Sequence, residues 1–310
     1  MACTTEQTEL GEGIRWDDRR FEVLRVDSVA GRLYRDRIRG DGSLEPVAVY
    51  RLPWPVGVVA PVRGEGGFLL GAGRGFVHLA LDGTYRVVAG EVSPPQTRMN
   101  DGGCDPAGRF WAGALADDHH AGGGSLHRLD SSGRVQQVLD GLSIPNGIVW
   151  TEDGSTMYLA DSGPGVVYAF DFAASEGSVS AQRVHITVPP DIGVPDGMTI
   201  DSTGDLWVAI CGGGRVHRYT PDGTLREVFA IPAQQSTCCA FAGPAQNLLY
   251  VTTATEGWTD EQRRADPSAG LVYLLTPDAG GRSTAPFVPD PVWWESIEGD
   301  VGAAVMEQAR

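Results

Sequence analysis

The stretches DPAGRFWAGAL (105–115) and DSTGDLWVAI (201–210) share one pattern: a turn rich in Asp and Gly runs into a short strand of aromatic and aliphatic residues. Four further copies are WDDRRFEVLRVDS (16–28), VRGEGGFLLGA (62–72), TEDGSTMYLADS (151–162) and GPAQNLLYVTT (243–253). The strand markers Phe21, Phe68, Phe110, Met157, Leu206 and Leu248 follow one another at 47, 42, 47, 49 and 42 residues. After each copy comes a second strand running into a Gly turn, as in GRVHRYTPDGTLREV (214–228) and GLVYLLTPDAGGRST (270–284). Alternation such as Val216-His217-Arg218-Tyr219 suits a strand and not a helix. The D-G and S-G pairs are hairpin chemistry, because Gly tolerates positive φ. A four-stranded unit repeated six times cannot bury both faces alone, but it can when the sheets pack radially. The pattern therefore predicts an all-β fold, a six-bladed β-propeller in one domain over residues 1–310. The segment 286–310, with Trp293, Trp294 and Ile297, falls outside the repeats; a tail, a short helix and an oligomer contact are all open, with a loosely held terminus the expectation.

Composition agrees with this and excludes several classes. The 42 Gly and 20 Pro in 310 residues favour many short strands joined by tight turns. The formal charge is −16, from 24 basic and 40 acidic side chains, with no Lys/Arg-rich stretch. That sign argues against nucleic acid or an anionic membrane as partner. No apolar run is long enough for a membrane helix, and Met1–Glu9 lacks the apolar core of a signal peptide. Cys3, Cys104, Cys211, Cys238 and Cys239 show no paired metal spacing. They read as reduced thiols of a cytoplasmic protein, monomeric or a small homo-oligomer.

In a propeller the innermost strand of each blade lines the axis, so a ligand there must be held by equivalent positions in different repeats. Counting back nine to eleven residues from the six markers reaches Glu12, Val58, Asn100, Asn146, Asp196 and Cys238. Four of these six carry side-chain oxygen. Two carboxylates and two carboxamides describe an oxygen-donor cup for one divalent cation, and such donors suit Ca²⁺, Mg²⁺ or Mn²⁺. Zn²⁺ remains open, although no His or Cys set demands it. Asn100 is suited either to the ion or to a substrate beside it. Taken singly, N-G and D-G are ordinary turns; their shared register raises the set above that.

The strings L-G-Glu12-G-x-x-W-D, R-M-Asn100-D-G-x-x-D-P-x-G-R-F-W-A-G, L-x-I-P-Asn146-G-I-x-W and P-Asp196-G-M-x-I-D-x-x-G-x-L-W-V-A resemble the family of regucalcin (senescence marker protein), gluconolactonase and luciferin-regenerating enzyme. The resemblance covers residues 9 to 287, with its motifs in order. It implies a calcium-binding six-bladed propeller that hydrolyses small sugar lactones with one divalent cation. Carried over by position, Glu12, Asn146 and Asp196 match the protein ligands, and Arg98 and Asn100 match the substrate-contacting pair. Asp118 falls where some members place a substrate-contacting Glu, one methylene longer. Gly13-Ile14-Arg15-Trp16 departs from the usual G-P-x-W, and residues 32–64 carry little family signal.

The expected chemistry is opening of a cyclic ester, with the cation polarising the carbonyl and Asp196 as general base toward water. Two alternatives stand beside it: a metal-dependent esterase or phosphotriesterase-like enzyme on the same cup, and a non-catalytic propeller binding calcium or a small molecule. Other nucleophile patterns are weaker. There is no G-x-S-x-G elbow, and His119-His120 reads as an exposed loop pair.

Overall fold

The computed structural model describes residues 1–64 and 66–307 and shows six antiparallel sheets arranged as the blades of a propeller. Blade 1 comprises β1 (Gly11–Asp17), β2 (Glu22–Asp27), β3 (Arg32–Ile38) and β4 (Leu44–Arg51). Blade 2 holds β5 (Val56–Pro61), β6 (Phe68–Ala72), β7 (Gly75–Leu79) and β8 (Thr84–Ala89). Blade 3 is built from β9 (Thr97–Cys104), β10 (Phe110–Ala116), β11 (Gly124–Leu129) and β12 (Val135–Leu142). Blade 4 is β13 (Pro145–Trp150), β14 (Thr156–Asp161), β15 (Val166–Ala173) and β16 (Ser178–Thr187). Blade 5 contains β17 (Val194–Ile200), β18 (Leu206–Cys211), β19 (Arg215–Tyr219) and β20 (Leu225–Ala230). Blade 6 has β21 (Ser236–Ala242), β22 (Leu248–Thr253) and β23 (Tyr273–Leu275), with the short helix α1 (Asp260–Ala265) in the loop before β23. Five of the six sequence markers lie in the second strand of their blade. Phe21 sits one residue before β2, exposed and at φ 56°.

The repeated turn has a specific internal chemistry. Asp105 accepts hydrogen bonds from the backbone N–H of Ala107 and Arg109 and from Trp111 Nε1, the last at 3.0 Å. Asp201 does the same for Thr203, Asp205 and Trp207 Nε1. One carboxylate thus satisfies the turn backbone and the indole of the strand it leads into, which is why Asp and Trp recur six residues apart. Between blades, the apolar faces meet in separate clusters. Leu24, Tyr50, Phe68 and Leu70 join blades 1 and 2, and Tyr158, Val167, Met198 and Leu206 join blades 4 and 5.

The ring is closed by both ends of the chain. Blade 6 supplies three strands of its own, and the N-terminus lies along the outermost as a fourth. Ala2 bridges Tyr273, and Cys3 N–H donates to Val272 O at 2.7 Å. The expectation of a loosely held C-terminus is overturned. Phe287 is fully buried between blades 2 and 3 and exchanges backbone hydrogen bonds with Pro61 and Arg63 at 2.8 Å. Helix α2 (Pro291–Ser296) places Trp294 against Phe287 and His78, and Trp293 against Gly133. β24 (Val301–Ala303) then adds an outer strand to blade 2, and β25 (Val305–Glu307) adds one to blade 1. The segment is a strap across three blades, because its aromatic residues find apolar slots that short strands alone leave uncovered. Among the described residues no helix is long and apolar enough to cross a membrane.

Phe287→Ala should therefore destabilise the protein by about 3–5 kcal/mol, the usual cost of truncating a buried Phe. Val292→Ala, on the exposed face of α2, should leave stability unchanged. Equal urea midpoints for the two variants would contradict a strap that holds the blades.

Candidate functional site

All six innermost strands break register at the same level. β1 shifts against β2 between Glu12 and Arg15, β13 against β14 between Pro145 and Ile148, and β17 against β18 between Pro195 and Met198. β5, β9 and β21 carry equivalent shifts against their neighbours. A bulge re-aims the side chain it contains, and these bulges hold Asn100, Asn146 and Asp196, with Glu12 at the edge of the first. The Gly after two of the site residues has a steric reason. A methyl group on Gly147 would stand 2.7 Å from the carbonyl oxygen of Asp196, and one on Gly197 would collide with Cys238. Backbones of neighbouring blades touch here, at the N-terminal ends of the axial strands.

Glu12, Asn100, Asn146 and Asp196 are all buried. Asn100 Nδ2 donates to Asn146 Oδ1 and to Pro145 O, both at 2.9 Å. Asn146 Nδ2 donates to Ser162 Oγ at 2.8 Å, and Ser162 donates onward to Pro195 O at 2.7 Å. This chain ties blades 3, 4 and 5 and fixes which way each amide faces. Glu12 Oε2 accepts from Gly13 N–H at 2.8 Å. Asp196 Oδ1 is buried with no hydrogen-bond partner among the described residues. Arg98, half-buried one turn of the pleat nearer the mouth, donates to Asn100 Oδ1 at 3.3 Å.

The electrostatics are those of a site with more buried acid than positive charge beside it. Burial, then the neighbouring carboxyls of Asp196 and Asp101, push the Glu12 carboxyl well above the ordinary carboxylate range. Asp196 is raised by burial and then by Asp101, with half-buried Glu256 adding repulsion. Buried acceptors that repel one another and include an orphaned oxygen are what a divalent cation would reconcile. Glu12, Asn146 and Asp196 supply oxygen donors of the type Ca²⁺, Mg²⁺ or Mn²⁺ takes, so the residues present fit such an ion.

Sequence reasoning missed Asp101. Glu12, Asp101 and Cys238 each offer an atom within 4.8 Å of the others. The signal was available: Asn146 and Asp196 are followed by Gly, whereas Asn100 is followed by an acid. Burial and these acids hold the Cys238 thiol far above its ordinary pKa, which keeps it protonated and unreactive. Asp118 stands apart. The pairing of Ala116 with Thr97 puts its loop at the same end of the blade as Arg98. There it is exposed and paired with His120 Nδ1 at 2.5 Å, without contact to Arg98 or Asn100. His119-His120 is the exposed loop pair expected. The C-terminal ends of the axial strands surround a cavity of about 610 Å³, lined by Trp16, Trp150, Ile200 and Phe241 and closed by the stretch 281–285.

The sequence profile described as "SMP-30/Gluconolactonase/LRE-like region" matches residues 10–255. The chain belongs to that family. Regucalcin of Xenopus laevis is 32% identical over 285 residues, 89% of this chain and 94% of that protein. Pentonolactonase XacC of Haloferax volcanii is 36% identical over 280 residues, 88% of this chain and 92% of that protein. Among solved structures, a regucalcin of Agrobacterium tumefaciens, described as a calcium-binding protein, superposes with a TM-score of 0.86. It is 27% identical and covers 92% of this chain and 96% of its own. Family membership and the six-bladed ring thus agree with the motif reading. The matched span reaches from the residue before the first axial strand to the last strand of the sixth blade's inner hairpin.

The shifts of Glu12 and Asp196 give a pH signature for the metal-free protein. Both are raised above their unfolded values, so their stabilising contribution is complete below about pH 4. It is lost as pH rises through the elevated folded values. Thermal melts of chelator-treated protein should fall in Tm as pH rises above about 4, and fall less in Glu12→Gln. Parallel curves for the two proteins would rule out this repulsion.

Proposed function

We propose that this chain is a divalent-cation-dependent lactonase that opens a small sugar lactone. The observation carrying this reading is the buried, unpartnered Oδ1 of Asp196 beside the raised carboxyl of Glu12. Relatives named for lactone hydrolysis, including the pentonolactonase, support the reaction class. Glu12, Asn146 and Asp196 would hold the cation, and the relatives described as regucalcins make Ca²⁺ the first candidate. Asn146 Oδ1 can serve it while still accepting from Asn100, because an amide oxygen has two lone pairs. A bound cation supplies electrophilic polarisation of the ester carbonyl.

The rest falls to the chain's own groups. Arg98 holds a substrate hydroxyl at the mouth, and Asn100, locked between Arg98 and Asn146, presents its amide to the lactone ring. Asp118 reaches the same mouth only if its carboxylate leaves His120. Asp196 Oδ1 accepts a proton from the attacking water as the new acyl C–O bond forms. The acyl–ring oxygen bond breaks, and the ring oxygen takes up a proton to give a hydroxy acid. The buried setting keeps other water out, so the attacking molecule is one held by the cup. Five free thiols suit a reducing cytoplasm, where we place the protein.

Chelation should abolish hydrolysis of aldono-lactones, and Ca²⁺, Mg²⁺, Mn²⁺ or Zn²⁺ added back singly should restore it to different extents. Asp196→Asn should lower kcat by about 10²-fold or more, the scale of a lost general base. Aryl esters and phosphotriesters serve as the competing substrates. Undiminished lactone turnover by the stripped enzyme would refute the proposal, and turnover confined to the competing esters would replace its substrate class.

A further inference from the structure

We infer that Arg15 is the built-in counter-ion of the cup, a positioning residue that ties Asp101 away from the cation. The inference deepens the proposed function and rests on its reading of the cup as a cation site. Arg15 lies on β1 of blade 1, and its guanidinium crosses the channel to β9 of blade 3. There Nη2 meets Asp101 Oδ1 at 3.3 Å and also donates to Gly102 O. Gly103 leaves room for it: a Cβ on that residue would stand 3.3 Å from Arg15 Nη1. The pair is almost wholly withdrawn from solvent, with 14% of the Arg15 side chain and 4% of Asp101 exposed. Arg15 also lines the large cavity at the other end of the strands, so it forms the floor between cup and cavity.

The charges explain why such a floor is needed. Glu12, Asp101 and Asp196 bring three negative charges to one buried place, one more than a divalent ion neutralises. A buried cation fixed to Asp101 removes the excess and leaves two carboxylates for the ion. Three residues beyond the site position, the other axial strands carry Pro61, Gly103, Val149, Thr199 and Phe241. At that level only β1 presents a charge among these. Asp101 Oδ1 also accepts from its own Gly102 N–H at 2.7 Å, so this oxygen is fully engaged with backbone and guanidinium. That oxygen is thereby committed to the backbone and to Arg15 and not to an ion.

The test titrates cations into chelator-treated, folded protein, following Ca²⁺ by calorimetry and Tb³⁺ by luminescence. Arg15→Met keeps the length of the side chain and removes its charge. It should bind Ca²⁺ about tenfold or more tighter than wild type, with a larger gain for Tb³⁺, since a trivalent ion matches three free carboxylates. Its kcat on the lactone should fall while KM changes less. Asp101→Asn should weaken Ca²⁺ by about tenfold, because the guanidinium then faces the ion uncompensated. The double variant should return to within about threefold of wild type, and Arg15→Lys, which retains the charge, should stay near wild type. If Arg15→Met does not fold, Asp101→Asn and Arg15→Lys decide the matter. Wild-type Ca²⁺ and Tb³⁺ affinities in folded Arg15→Met, or wild-type Ca²⁺ affinity in Asp101→Asn, would overturn the inference. Ca²⁺ binding that survives Glu12→Gln unchanged would instead overturn the cup itself.

Discussion

Mutual repulsion among carboxyl groups withdrawn from water is the constraint around which this molecule is organised. Burying an unpaired carboxylate costs roughly several kcal/mol, and Glu12, Asp101 and Asp196 share one axial site. A fold can hold such groups only if the elements presenting them are stable without them. The propeller meets that condition because apolar cores fill the space between neighbouring blades and each repeated turn satisfies its own backbone. The Asp105–Trp111 and Asp201–Trp207 pairs close the turns that follow the axial strands, so the acidic centre is supported by local structure whose hydrogen bonds do not involve it. The bulges add close backbone contact between neighbouring blades, which leaves the acidic side chains little room to separate.

The ring architecture was readable because its cause is local. Turn chemistry and period-two alternation recur within each repeat, so the six second strands could be marked from the chain alone, with Phe21 displaced by a single residue. The axial positions were readable for a related reason: nine to eleven residues separate the site position from the marker in every blade. What depended on contacts between distant blades was not readable. Asp101 lies beside a named residue, yet its role appears only when β9 is set opposite β1. Arg15 differs from its counterparts in charge, but nothing in its neighbourhood of sequence points to blade 3. The C-terminal strap failed for the same reason. Its polar stretch resembles an unattached tail until Phe287, Trp293 and Trp294 are placed against grooves made by other blades.

The two ends of the channel have different chemistry. The N-terminal ends of the axial strands collect acids, amides and Arg98; the C-terminal ends surround a cavity of mixed lining, with Trp16, Trp150 and Phe241 beside Glu152, Gln246 and Arg282. A large cavity is a natural place to look for a substrate, but this one faces away from the orphaned Asp196 oxygen, and Arg15 stands between them. The smaller polar cup is the better candidate, because groups that cannot be satisfied by the protein itself mark where a ligand completes the structure.

Closure of the ring decides how exact the cup can be. An open propeller would let the first and last blades part, and Glu12 belongs to the first blade while Cys238 belongs to the last. The N-terminus stitches onto blade 6 through Ala2 and Cys3, only a few residues before β1 begins blade 1. That short connection spans the seam next to Glu12. The strap acts on the outer side, binding blades 1, 2 and 3 by added strands and a buried Phe. Blade 1 carries Arg15 and blade 3 carries Asp101, so the strap holds together the two blades joined across the channel by that ion pair. The ends of the chain and the charges at its centre are thus parts of one mechanical arrangement, in which outer strands fix blade positions and the axial ion pair depends on those positions being kept.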